Sequence, residues 1–202
     1  MADPVAPTAP VEPPAPRRSR GPVIALAIIG VLVIAGVAVA VPMLVGADRP
    51  PPDLTAVRVY ADLSRAHTPD DVDYPQQPPV GGPHDPAWLD CGAYDAPVRD
   101  ENAVHDLEHG SVWITYDPDL GPDDVASLKE ALPQNGIMSP YDGLRSPVVV
   151  TVWGRQLALT GADDPRLGLF LQRYAGGSTA PEPFASCAGG INGEQGGAGT
   201  PV

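Results

Sequence analysis

From Pro22 to Val45 the chain runs 24 residues, PVIALAIIGVLVIAGVAVAVPMLV, without a charged side chain. At 1.5 Å of rise per residue a helix of that length reaches about 36 Å, enough to cross a hydrocarbon layer of about 30 Å with some tilt. Within lipid such a segment can satisfy its backbone hydrogen bonds only as a helix, so the weak helix propensity of Val and Ile does not decide the matter. Arg17, Arg18 and Arg20 precede the run, whereas Asp48 and Arg49 follow it. That imbalance predicts a cytoplasmic N-terminus, a single pass through the cell membrane over residues 22–45, and an extracytoplasmic remainder. A cleaved signal peptide, with Val45-Gly46-Ala47 at the processing site, is the competing expectation, but a signal core spans only about 7–15 residues. Residues 1–21, opening with MADPVAPTAPVEPPAP, hold too few large apolar side chains for a core and are expected as a disordered cytoplasmic tail.

Charge narrows the partners of the exported part. Residues 46–202 carry 23 of the 25 acidic residues and 9 of the 12 basic ones, a formal charge of −14. Such a surface repels nucleic acid and anionic headgroups and attracts cations, although acidity also serves simply to keep an exported domain in solution. Cys91 and Cys187, 96 positions apart, form no CxxC or zinc-ribbon spacing. Two cysteines in an oxidising compartment predict one disulfide, closing a loop that stabilises the fold by about 4–5 kcal/mol in the chain-entropy model. No second thiol stands near either one to resolve a mixed disulfide, which argues against redox chemistry.

Residues 46–56 are expected as a stiff linker, 57–187 as one globular domain, and 188–202 as a flexible C-terminal tail. Val57 to Leu63 alternates as a strand, and residues 68–99, crowded with Pro, Gly and Asp, predict an ordered irregular loop. Asp100 to His109 reads as a helix capped by Asp100 and stopped by Gly110. Ser111 to Asp117 reads as a strand, and Pro122 to Leu132 as a helix with Pro in its first turn. Pro147 to Trp153 and Gln156 to Thr160 form a hairpin turned at Gly154-Arg155, and Asp163 to Tyr174 closes the domain as an amphipathic helix. The resulting α+β order, β-α-β-α-β-β-α with a Pro opening the third strand, resembles the thioredoxin-like fold without its CxxC.

All four histidines, His67, His84, His105 and His109, lie in the exported part. His105 and His109 stand four apart on one helix, so their rings share a face and can share a metal ion. His84, in GGPHDP, sits where glycines permit a turn toward a site. Met138 offers a thioether, and imidazoles with a thioether suit copper, with zinc the alternative. Glu101, Asp106 and Glu108 add negative charge nearby. The competing structural expectation is that a His pair at a helix end only caps and packs. His105-Asp106-Leu107-Glu108-His109 also spells H-x-x-E-H, the inverzincin pattern of two ligands and a Glu base. Such a helix should continue past the motif, yet Gly110 and a strand follow, and Glu182, which would be the third ligand, lies in a Pro-rich coil. Ser111 sits in no nucleophile elbow, and Trp88, Trp113 and Trp153 read as core.

The stretches VDYPQQPPVGGPHDPAWLDCGAYDAPV, ENAVHDLEHGSVWITYDPDL and SPYDGLRSPVVVTVWGRQL resemble the bacterial domain-of-unknown-function family 3105, frequent in actinobacteria. The resemblance spans about Val57 to Cys187. It implies the architecture of a short tail, one anchor and an exterior domain, and it implies no established activity. Family stretches include the positions held here by His67, His84, His105, His109, Cys91 and Glu108, which favours a shared site.

Three functions remain. The leading expectation is a non-enzymatic, membrane-tethered binder of copper or zinc, with His84, His105 and His109 as ligands. Met138 is then a possible soft ligand, His67 a reserve, and Asp85, Asp106 and Glu108 supporting carboxylates that accept ring N–H groups. The others are an envelope interaction module without metal and a zinc hydrolase using Glu108. The sequence names no protein partner.

Overall fold

The computed structural model describes residues 51–193. The tail and span expected over 1–45, residues 46–50 of the expected linker and residues 194–202 lie outside the described residues. Among the described residues no helix is long and apolar enough to cross a membrane.

The centre of the domain is a parallel pair. Strand β3 (Val112–Tyr116) and strand β4 (Gly136–Pro140) run side by side, with Ile114 opposite Met138. A parallel pair needs a crossover, and helix α2 (Pro122–Ala131) supplies it. Strand β5 (Val148–Val152) packs antiparallel on the other side of β3 and turns through Trp153-Gly154 into β6 (Arg155–Leu159). Two-residue strands close the margins. β1 (Arg58–Val59) pairs with β6, and β2 (Gly92–Ala93) pairs with β4. Helices α1 (Asp100–Glu108) and α3 (Arg166–Tyr174) complete the described elements.

The sheet order is β1-β6-β5-β3-β4-β2. The element order β-β-α-β-α-β-β-β-α therefore corrects the expected one by adding β2 and β4. Gly136-Ile137-Met138-Ser139-Pro140 is buried along its whole length, so it has no solvent face to impose alternation, and its Gly and Pro read locally as a turn. The first strand shrinks from the expected Val57–Leu63 because Asp62 adopts a left-handed φ of 57°, which bends the chain away. The cis peptide among the described residues joins Gln77 to Pro78 and does not precede Pro147, the position singled out by the thioredoxin-like resemblance.

Strand alternation sends residues to two cores. Val112, Ile114, Met138, Val148 and Val150 meet Leu128 of α2 and Phe170 of α3 on one face. Trp113, Ile137 and Trp153 meet Val104 and Leu107 of α1 on the other, together with Tyr74 and Leu89 from the long loop. Cys187 is fully buried in that second core and bonded to Cys91, with their Cα atoms 5.0 Å apart. The expected tail is held beyond it, because Ile191 donates to the Trp88 carbonyl (2.8 Å) and accepts from the Asp90 N–H (2.9 Å).

Candidate metal centre

Helix α1 lies on the second core, and all its residues from Glu101 to Glu108 are buried. No side chain caps its start. Asp100, expected as the cap, is the first helical residue and its carboxylate accepts the Tyr141 hydroxyl (2.9 Å). Burial pushes the Asp100 carboxyl up to about 6, against that hydrogen bond. The helix stops at Gly110, whose φ of 82° needs glycine and whose missing Cβ leaves room for the Gly177 backbone. Residues three apart share a helix face, so His105 and Glu108 both turn toward the long loop.

That loop delivers two more histidines. Thr68 N–H donates to the His84 carbonyl (2.7 Å) and His84 N–H donates to the Ala66 carbonyl (3.0 Å), a clasp that sets His67 beside His84. Arg99 ties the loop down, reaching the Asp85 carboxylate at 2.6 Å, Glu101 at 3.1 Å and Asp71 at 3.2 Å. His67, His84, His105 and Glu108 thereby each bring one ligand atom into a group whose members all lie within 4.8 Å of one another. Three of these side chains are buried, while His67 is half-exposed.

Proton positions follow from the partners. His84 Nδ1 lies 2.7 Å from the Gly82 carbonyl and His105 Nδ1 lies 2.7 Å from the Asp85 carbonyl. A carbonyl only accepts, so both Nδ1 atoms carry hydrogen, and in the neutral form of either ring Nε2 is the free nitrogen. His84 Nε2 then meets Glu108 Oε2 at 3.0 Å, and His67 Nε2 stands 3.7 Å from the same oxygen. Glu108 Oε2 thus has two imidazole nitrogens beside it, a grouping that a proton or a metal ion can bridge. Burial lowers His105 to about 4, and the neighbouring imidazoles of His109, His84 and His67 push in the same direction against the Asp85 carbonyl. That ring is neutral near pH 7, the form that ligates.

Several sequence expectations move. Glu108, expected in support, belongs to the ligand group itself, and so does the reserve candidate His67. His109 falls outside the group, its Nε2 lying 3.1 Å from His105 Nε2 and 3.7 Å from Glu182 Oε2. Met138 packs in the first core, on the opposite face of the sheet from α1, because strand alternation turns it away from Ile137. Asp85 supports His105 through its main-chain carbonyl, its carboxylate being engaged by Arg99 and by Ala87 N–H. Asp106 is one residue on from His105, hence about 100° around the helix, and accepts Leu89 N–H (3.0 Å) instead of a ring N–H. Burial raises its carboxyl well above the usual range, and its Oδ1 has no partner. Glu182 lies outside helix and strand, as expected of its Pro-rich coil. Its main-chain N–H donates to the Glu108 carbonyl (3.0 Å), which brings the coil onto the end of α1.

A family model described as "Protein of unknown function (DUF3105)" matches residues 66–189, more than half of the chain. No curated protein and no solved structure matches it. The matched region contains the four grouped ligands, His109, Glu182 and both cysteines, so the site and its disulfide fall within the shared segment. On that match the chain belongs to the DUF3105 family of proteins of unknown function.

Proposed function

We propose that this protein is a membrane-tethered, extracytoplasmic binder of one divalent transition-metal ion, held by His67, His84, His105 and Glu108. The observation that carries the proposal is the convergence of one ligand atom from each of His67, His84, His105 and Glu108 within 4.8 Å of one another, with the Nδ1 atoms of His84 and His105 already engaged by backbone carbonyls. Backbone carbonyls orient two of the three rings through Nδ1, the usual outer support of a metal-bound imidazole. A tetrahedral ion with bonds of about 2.1 Å holds its ligands about 3.4 Å apart, so loading draws the group inward. The half-exposed His67 is the member with freedom to close.

Three imidazoles and a carboxylate form a borderline-to-hard donor set. With Met138 on the far face of the sheet, the thioether argument for copper(I) falls away, and the set suits copper(II) and zinc(II). The charge-free run at 22–45 and the preceding arginines support the tether, and the disulfide supports an oxidising compartment. We read the role as binding and not hydrolysis, because Glu108 stands among the ligands where an inverzincin would use it as a free base.

The test is titration of the full chain with zinc(II), copper(II) and copper(I), each alone, beside His84→Ala and Glu108→Gln variants. One divalent ion per chain, with affinity falling on the order of 100-fold or more in either variant, is the expected result. Binding that the variants leave unchanged assigns the ion to the acidic surface and removes the site. A chain that binds none of the three ions leaves the imidazole–carboxylate group a buried structural network in an envelope module.

A further inference from the structure

His109 is nine-tenths buried and belongs to no ligand group, yet it occupies the one place where it blocks a ligand. His105 donates its Nδ1–H to the Asp85 carbonyl, so the hydrogen between His105 Nε2 and His109 Nε2, 3.1 Å apart, belongs to His109. The His109 N–H thus fills the lone pair that His105 would offer to a metal ion. An ion on that lone pair at about 2.0–2.1 Å cannot share the axis with a nitrogen 3.1 Å away. Metal and His109 exclude one another.

The surroundings also show where the ring would go. The other ring nitrogen of His109, Nδ1, is buried without a partner, and in the tautomer with hydrogen on Nε2 it is a free acceptor. Trp88 packs edge-on against His109, ring centroids 5.1 Å apart, and its Nε1–H is also buried without a partner. Two neighbouring rings therefore each hold one buried, unpaired nitrogen, and each such atom is costly to leave unpaired in an interior. On the remaining side Glu182 Oε2 stands 3.7 Å from His109 Nε2, on a side chain more than half exposed.

We propose that His109 is a displaceable stopper of the metal site. In the free protein it seals the His105 lone pair. When an ion takes that lone pair, the ring turns, gives its Nε2–H to Glu182 and accepts the Trp88 N–H on Nδ1. Occupancy of the buried site is thereby passed to the segment around Glu182, which starts at the surface and is fixed to α1 by the Glu182 N–H to Glu108 carbonyl bond. The switch rests on the metal-binding reading above and adds a coupled second state to it.

The experiment uses zinc(II) alone, a diamagnetic probe, on the full chain with 15N-labelled histidine. Ring-nitrogen shifts are expected to show His105 Nε2 becoming metal-bound while His109 Nε2 keeps its hydrogen and Nδ1 gains a hydrogen-bonded shift. Tryptophan emission changes with zinc, and the change disappears in Trp88→Phe. His109→Ala binds zinc about five- to tenfold more tightly, since one competing hydrogen bond is gone. Glu182→Gln weakens zinc severalfold in the parent and has no effect in the His109→Ala background. A metal-bound shift at His109 Nε2, or weaker zinc binding in His109→Ala, makes His109 a ligand and overturns the switch while leaving the site. Zinc binding without any change at His109 or Trp88 overturns it as well. If neither the parent nor His109→Ala binds zinc, the metal reading fails and the switch with it.

Discussion

Asp100 and His105 sit on the same helix and respond to acid in opposite senses. The folded Asp100 carboxyl is raised from 3.8 to about 6, so the native state takes up its proton before the unfolded chain does. Its contribution is present at low pH and is lost as pH rises through about 6. The folded His105 ring is lowered from 6.5 to about 4, so its contribution is present above 6.5 and is lost as pH falls toward 4. The two windows overlap, and their slopes oppose. Urea denaturation of the metal-free chain at pH 4.5 and pH 7 checks this. Relative to the parent, Asp100→Asn should lose more stability on acidification and His105→Gln should lose less. An unchanged difference between the two pH values in both variants would show that neither group titrates as described. At this scale the sequence was informative about identity but not about role. The i,i+4 spacing marked His105 and His109 as neighbours. It did not reveal that one faces the ligand group and the other its blockade, because that division depends on Asp85 and Glu182, which approach from distant segments.

At the scale of elements, the long loop depends on one side chain. Arg99, just before α1, bridges Asp71, Asp85 and Glu101, and the Asp85 main chain in turn aims His105. Arg99→Met keeps the stem of the side chain and removes three charge-assisted bonds. It should lower metal affinity about tenfold without touching the ion, as loss of an orienting partner does, with one ion per chain retained in the titration. Gly110→Ala is expected to be more damaging. A Cβ there meets the Gly177 backbone at 3.0 Å in a left-handed conformation, so a lower midpoint in thermal unfolding and loss of the Glu108 and His109 positions should come together. Elements with a solvent face were legible in advance: α2 from its Pro and acidic first turn, α3 from its apolar stripe. So were the buried α1, β3 and β5, whereas β4 was not, because its Gly and Pro read locally as a turn. The His67–His84 clasp was equally hidden, since a pairing between irregular segments leaves no periodic signal.

For the whole molecule, ligands and cross-link interleave along the chain. His67 and His84 precede the loop closed by Cys91 and Cys187, whereas His105 and Glu108 lie inside it. An ion would therefore join the closed loop to the segment before it, a second closure that the disulfide does not make. Cys91→Ser with Cys187→Ser should reduce stability by about 4–5 kcal/mol in chemical denaturation of the metal-free chain. Saturating zinc should restore part of that loss by mass action. A double variant as stable as the parent would mean that the bond adds no restraint the core does not already provide.

The sheet meets solvent differently from the site. Its margins are the two-residue strands β1 and β2, each too short to template a neighbour. Tethered as proposed, the protein would be confined to a plane with other copies of itself, where long open margins would zip together chain by chain. Margins this brief deny such growth a starting register, so many copies can stand side by side without fusing into a common sheet.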